Sequence, residues 1–325
     1  MERRALGRTG ISVSTLCFGT MSFGGEADVA ASSRLYAACR EAGIDFFDCA
    51  ATYNGGRSEE ILGRLISAER DAITLTTKCG YGTTGAKHGQ ADREGIIGSV
   101  EASLRRLGTD RIDLLFLHRH DPSTHLDETL RTLDDMVTSG KVLHLGVSNW
   151  AAWQVARALG RAEAEGWARF EALQPMYNLV KRQAEVELLP MALAEGMAVT
   201  PYSPLGGGLL TGKYVSRGDG RLTQNARYAE RYAPDRMHQT AADLAELAGR
   251  EGLHPATLAV AWVNAHPAVT APILGARSVE QLRPSLDAAT LSLPDELMAE
   301  VTALSETPPP ATDRLEEASP DRAPD

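Results

Sequence analysis

The stretch IDFFDCAATYNGGRSEE, residues 44–60, is a short apolar run that stops on Asp48 and reaches Tyr53 five residues later. A buried strand ending in this way places a carboxylate and a phenol at one mouth of a sheet. Alone, the pair is explained by a turn cap and a filled gap. Two other strand ends change the reading, because Lys78 closes the β-branched run 72–77 and His118 closes the apolar run 112–117. A phenol with a pKa of about 10 donates a proton poorly at neutral pH unless a cation stabilises the phenolate. Lys78 is placed to supply that cation, Asp48 to hold the lysine charged, and His118 to hydrogen-bond a substrate oxygen or relay the proton. Such a set protonates an oxygen while something else adds to its carbon. It includes no activated Ser or Cys nucleophile. His118-Arg119-His120 has a spacing that suits zinc, but no third ligand follows at helical or strand spacing, so no metal is expected.

The elements that must position these groups are legible as a repeated pattern. Gly7 and Gly10 flank a turn in an N-terminal hairpin, and a first core strand over 13–18 ends at Gly19. Helices are expected over 29–42, from Ser58, from the cap Asp92 to Gly108, along Leu126, Leu130, Leu133 and Val137, through Trp153, Val155 and Leu159, and over 185–195. Between them lie strands at 72–77, 112–117, 144–147, 171–173 and 198–201, and a last one at 270–274 after a glycine-rich excursion and helices at 241–250 and 255–265. Continuously apolar strands crossed by helices imply a parallel sheet. Eight such units, most of them roughly 30 to 40 residues apart, favour an α/β fold of the (β/α)8 TIM barrel type over an open doubly wound sheet. The barrel carries an N-terminal hairpin, a long loop after strand seven and extra C-terminal helices. Its strand ends read Gly19, Asp48, Lys78, His118, Ser148 with Asn149, Gln174, Tyr202 and Gly275, and in a parallel barrel these converge on one face. Residues 1–306 are expected to form one barrel domain, with 307–325, rich in proline and acids, as a disordered tail.

Composition limits the partners. With 43% hydrophobic and 23% charged residues the chain is an ordinary globular protein. A net charge of −10 disfavours nucleic acid and anionic membranes as partners, and the basic pair Arg105-Arg106 reads as a solvated helix face. Cys17, Cys39, Cys49 and Cys79 show no paired spacing and fall in apolar stretches, as buried thiols of a reducing, cytoplasmic compartment would. The N-terminus lacks an apolar secretory core, and the uncharged run 252–276 is broken by Pro255, Pro267 and Pro272, so it reads as a core helix and strand instead of a membrane span. Oligomeric state is open, a homo-oligomer included.

Several separate motifs together resemble the aldo-keto reductase family, in particular its bacterial long-loop branch near the potassium-channel β-subunit-like reductases. They are Gly19-Thr20-Met21, residues 48–53, Gly56-Arg57-Ser58-Glu59, Thr77-Lys78, Leu117-His118, Gly146-Val147-Ser148-Asn149, Gln174 with Tyr177-Asn178, and Tyr202-Ser203-Pro204-Leu205. The resemblance spans roughly residues 3 to 290 and implies that Asp48, Tyr53, Lys78 and His118 are a catalytic tetrad with Tyr53 as general acid, a nicotinamide cofactor delivering hydride to an aldehyde or ketone. It assigns Ser148, Asn149 and Gln174 to the nicotinamide carboxamide and Tyr202 to stacking on the ring. The loop LGGGLLTGK nearly meets a nucleotide-triphosphate loop pattern, but Tyr214 stands where a Ser or Thr is required. By resemblance the loop covers the cofactor pyrophosphate instead, with Leu205, Gly207 and Lys213 as contacts. Arg277, beside a Ser278-x-x-Gln281 helix start, matches the position by the adenosine 2′-phosphate, which favours NADP(H) over NAD(H). Gly19, Thr20, Met21, Ser203, Pro204, Gly275 and Gln281 complete the expected cofactor set. Pro284 and Ser285 stand where the family usually has Glu-Asn, so the adenine contacts depart from its pattern. Phe23, Tyr53, His118, His120 and Trp150 are the pocket candidates for a small carbonyl substrate, along with Arg221, Arg227, Tyr228 and Arg231 in the segment 215–237. The alternative function is a cofactor-binding regulatory or sensor subunit with little turnover.

Overall fold

The computed structural model describes residues 1–81, 91–214 and 218–314. An antiparallel hairpin, β1 (Arg3–Ala5) with β2 (Ser12–Ser14), precedes the barrel. The core strand expected over 13–18 is therefore two strands. Ser14 breaks the run by donating its backbone amide to Asp45 Oδ1 and its hydroxyl to Leu16 O, and the barrel strand proper is β3 (Cys17–Gly19).

The chain then alternates: α1 (Val29–Glu41), β4 (Phe46–Asp48), α2 (Arg57–Ile66), β5 (Thr74–Cys79), α3 (Arg93–Leu107), β6 (Ile112–Leu117), α4 (Leu126–Thr138), β7 (Val142–Ser148), α5 (Ala152–Glu165), β8 (Phe170–Gln174), α6 (Leu188–Ala194) and β9 (Ala198–Val199). After β9 come two short helices, α7 (Arg221–Gln224) and α8 (Ala226–Arg231), then α9 (Asp235–Arg250), α10 (Pro255–Ala265), β10 (Ile273–Leu274), α11 (Val279–Asp287) and α12 (Asp295–Ala303). The segment expected as a long loop thus carries helices of four and six residues, too short to leave a periodic signature. Residues 307–314 form no helix or strand, and the rest of the expected tail lies outside the described residues.

Among the described residues, β3 to β10 form one parallel sheet in the order β10-β3-β4-β5-β6-β7-β8-β9. The ring closes between its ends: Tyr202, just past β9, bridges Ile273 of β10, and Ile273 N donates to Pro201 O at 2.9 Å. This is the (β/α)8 barrel, with every strand C-terminus on one face. Leu6 and Val13 of the hairpin region plug the interior from below, against Cys17, Phe46, Leu114 and Phe116.

Packing between layers holds the strand ends in place. On α3, Ile96, Val100, Leu104 and Leu107 face the sheet at helical spacing, and Asp92 caps the helix by accepting from Gly95 N at 2.7 Å. α2 lies so close to α3 that a Cβ on Gly63 would sit 2.3 Å from Leu107 O. Glu59 of α2 is fully buried and accepts from Thr77 Oγ1 at 2.6 Å and from Arg106 Nε at 2.6 Å. Arg106 is therefore not a solvated residue: it neutralises a buried carboxylate that ties α2 to α3 and to the strand carrying Lys78.

Candidate active site

Asp48 ends β4, Lys78 lies near the end of β5, His118 follows β6, and Tyr53 opens a one-turn 3-10 segment after β4. Lys78 Nζ donates to both Asp48 oxygens, at 2.7 and 2.6 Å, and to Cys49 O at 2.7 Å. Its distance to Tyr53 Oη is 3.4 Å. Asp48 also accepts from Thr76 Oγ1 at 2.8 Å and Gln174 Nε2 at 2.9 Å, so its charge is held by donors from two strands, β5 and β8. The Tyr53 ring meets His118 edge-on, with centroids 6.3 Å apart.

These contacts fix the protonation states. Burial pushes the Tyr53 phenol up to about 12; Lys78 opposes this and Asp48 reinforces it. Burial alone would lower the Lys78 ammonium, but the Asp48 and Tyr53 charges outweigh it and the group is raised. Burial, helped by Lys78 and Arg119, lowers His118 to about 3, so its ring is neutral at physiological pH. The geometry thus offers a phenol that keeps its proton, a permanent cation behind it and a neutral imidazole beside it.

Above these groups opens a cavity of about 600 Å³. It is lined by Asp48, Tyr53 and His118, by the strand-end residues Gly19, Ser148, Asn149, Gln174, Tyr202 and Gly275, and by Met21, Ser203, Pro204, Leu205, Gly207, Lys213, Arg277 and Gln281. The amide of Asn149 is already committed, accepting from Tyr202 Oη at 2.7 Å and donating to His118 O at 3.0 Å and to Ser148 Oγ at 2.9 Å. These bonds fix the Tyr202 ring over the cavity. Gly207 has φ +67°, and a Cβ there would sit 2.8 Å from the Tyr228 ring, so α8 can close on the loop only over a glycine. Ser278 caps α11 by accepting from Gln281 N, while Gln281 Oε1 turns back to the Arg277 amide at 3.1 Å. Pro284 reaches the cavity wall, whereas Ser285 is buried in the core.

Five expected site residues do not line the cavity. Lys78 is buried behind Tyr53, its Nζ 3.4 Å from Tyr53 Oη. The Thr20 hydroxyl is buried, donating to Asp48 O at 3.1 Å and accepting from Ser58. Phe23 is fully buried against Phe18, Trp150 packs on Phe170, and His120 lies edge-on to Trp150 at 4.8 Å. Aromatic area draws Phe23 and Trp150 into the core, away from the cavity wall. Arg221, Arg227, Tyr228 and Arg231 of the expected segment do reach the wall, joined by Tyr81, Arg119, His254 and Glu280, which the sequence reading did not single out. Tyr81 and Arg119 had a signal: they stand three residues and one residue past Lys78 and His118, on the loops of the same face.

Among the described residues no group of three or more His, Cys, Asp or Glu side chains is placed to hold a metal, and no helix is long and apolar enough to cross a membrane. Fold and site define a (β/α)8 barrel whose C-terminal mouth is equipped for proton transfer to an oxygen. The sequence model of the aldo/keto reductase family matches residues 15–306, and the chain belongs to that family. It is 37% identical over 310 residues to an uncharacterised oxidoreductase, YrpG, of Bacillus subtilis, covering 92% of this chain and 94% of that protein. It is 34% identical over 301 residues to a probable voltage-gated potassium channel subunit beta of Arabidopsis thaliana, covering 89% and 91%. A norsolorinic acid reductase of Aspergillus flavus is 34% identical over 311 residues, covering 90% and 78%. The protein is an oxidoreductase acting on carbonyl groups, in a family that generally uses NAD(P)H.

Proposed function

We propose that the protein reduces an aldehyde or ketone to an alcohol with NADPH, Tyr53 acting as general acid. The observation that carries this reading is the protonated phenol at the cavity floor, 3.4 Å from the buried Lys78 cation. A nicotinamide cofactor, when bound, supplies the hydride. The carbonyl oxygen lies against Tyr53 Oη and the neutral His118 ring, both of which hydrogen-bond it. As negative charge builds on that oxygen, Tyr53 transfers its proton, because an alkoxide is a stronger base than even a raised phenolate. Lys78 stabilises the phenolate left behind, and Asp48 keeps the lysine charged and in place. The balance is one hydride to carbon and one proton to oxygen, with the phenol reprotonated from solvent.

The wall suits such a cofactor. Ser148, Asn149 and Gln174 would hold the nicotinamide carboxamide; with its Nε2 on Asp48, Gln174 presents Oε1 as acceptor. Tyr202 offers a ring face, Gly206, Gly207 and Gly208 a side-chain-free approach, and Lys213 and Arg277 cationic partners for phosphates. Arg277 supports NADP(H) over NAD(H). The four cysteines are free and buried, which supports a cytoplasmic setting.

Likeness to a potassium channel β subunit gives the second reading, a cofactor-binding sensor. The experiment follows NADPH and NADH absorbance separately with a panel of aldehydes and ketones. Turnover faster with NADPH is expected. Tight NADPH binding without turnover of any carbonyl would favour the sensor.

A further inference from the structure

In a protein of net charge −10, the cavity wall carries six cations, Arg119, Lys213, Arg221, Arg227, Arg231 and Arg277, against two carboxylates, Asp48 and Glu280. Asp48 is already paired with Lys78. Cofactor phosphates require some of the positive charge, and Arg221 and Arg277 also share the carboxylate of Glu26. Arg119, Arg227 and Arg231 are different. Among the described residues none of the three has a carboxylate partner or a side-chain hydrogen bond.

Two of them are nevertheless held in place. The Arg119 guanidinium lies 4.2 Å from the Tyr81 ring centroid, and Arg231 lies 5.1 Å from that of Tyr228. Stacking engages the face of a guanidinium and leaves its in-plane N–H donors pointing outward, the arrangement that receives a carboxylate or phosphate edge-on. Tyr81 in turn meets His118 at 5.6 Å, so Arg119 is two ring contacts from Tyr53. Burial raises the Tyr202 phenol, and the charges of Arg231 and then Arg119 oppose that rise, which puts both arginines within electrostatic reach of one ring.

We propose that Arg119 and Arg231, with Arg227 beside them, form a subsite for an anionic group on the substrate, at the end remote from the carbonyl. The substrate class is then a carbonyl compound bearing a carboxylate or phosphate. The inference rests on the carbonyl-reductase reading above.

The test compares 4-carboxybenzaldehyde with its uncharged methyl ester under NADPH. The wild type is expected to favour the carboxylate by about tenfold in kcat/KM, and the preference should shrink as salt rises. In an Arg119→Gln/Arg231→Gln double variant the ratio should approach one, with the NADPH dissociation constant little changed. A wild-type ratio near one, or a ratio that survives the double substitution, overturns the subsite. Loss of NADPH affinity with the ratio intact does so too, since it assigns the arginines to the cofactor. Benzoate and benzamide binding to the NADP+ complex, measured by calorimetry, gives a readout independent of turnover. If neither aldehyde is reduced yet benzoate binds in an arginine-dependent way, the reductase reading fails and the subsite stands. Equal reduction of both aldehydes, with equal binding of benzoate and benzamide, gives the reverse.

Discussion

Lys78 directs three short contacts at Asp48 and Cys49 and one longer one at Tyr53, so most of its charge is balanced before a substrate arrives. Sequence reasoning expected the lysine to ease proton release from the phenol. Burial instead dominates, and the phenol rises to about 12. Catalysis of reduction needs Tyr53 protonated, so alkaline pH removes activity only on approaching that value. His118, lowered to about 3, keeps a neutral ring near neutrality and does not titrate there. The kcat for reduction should therefore be flat between about pH 5 and pH 9. A pH–rate profile with an inflection near the ordinary histidine value would show that His118 titrates and relays the proton. Asp48 and Lys78 were legible as partners because each terminates an apolar strand. Gln174 Nε2 on Asp48 was not, since 126 residues of chain separate the pair and only barrel closure joins them.

At the scale of elements, the strand over 112–117 was legible to the residue because it is buried on both faces and nothing interrupts it. The first strand was misread because residues 13–18 are apolar enough to look continuous, while the break at Ser14 comes from Asp45 across the barrel base. Phe23 and Trp150 look like pocket aromatics in sequence, and packing alone decides that they are not. The contact between α2 and α3 gives a prediction that does not depend on the chemistry. Gly63→Ala forces a Cβ into the Leu107 carbonyl and should cost about 1 to 3 kcal/mol in denaturant unfolding. Unchanged stability would mean that the two helices separate without penalty. Because Glu59 links this contact to Thr77, next to Lys78, the variant should also lower kcat modestly.

Across the whole molecule, Glu26 joins two distant parts of the chain, accepting from Arg221 at 2.8 Å and Arg277 at 3.3 Å. Nothing in the sequence pairs residue 26 with 221 or 277; the link appears only once the loop after β9 folds over the mouth. Arg277 thus already holds a carboxylate where a 2′-phosphate is proposed to bind. Removing that competitor by Glu26→Gln should tighten NADPH binding a few-fold and leave NADH nearly unchanged, the pair being partly exposed. Arg277→Gln should lower the NADPH-over-NADH preference by about tenfold. Fluorescence titration of both cofactors checks the two variants, and equal effects on NADPH and NADH would remove Arg277 from 2′-phosphate recognition.

Tyr53→Phe, assayed for NADPH oxidation and NADPH binding in the same preparation, isolates the proposed role of Tyr53 as the acid of an NADPH-dependent carbonyl reduction. The expected result is a fall in kcat of at least about a hundredfold with the dissociation constant for NADPH within a few-fold of wild type. Retained turnover in the phenylalanine variant would contradict it.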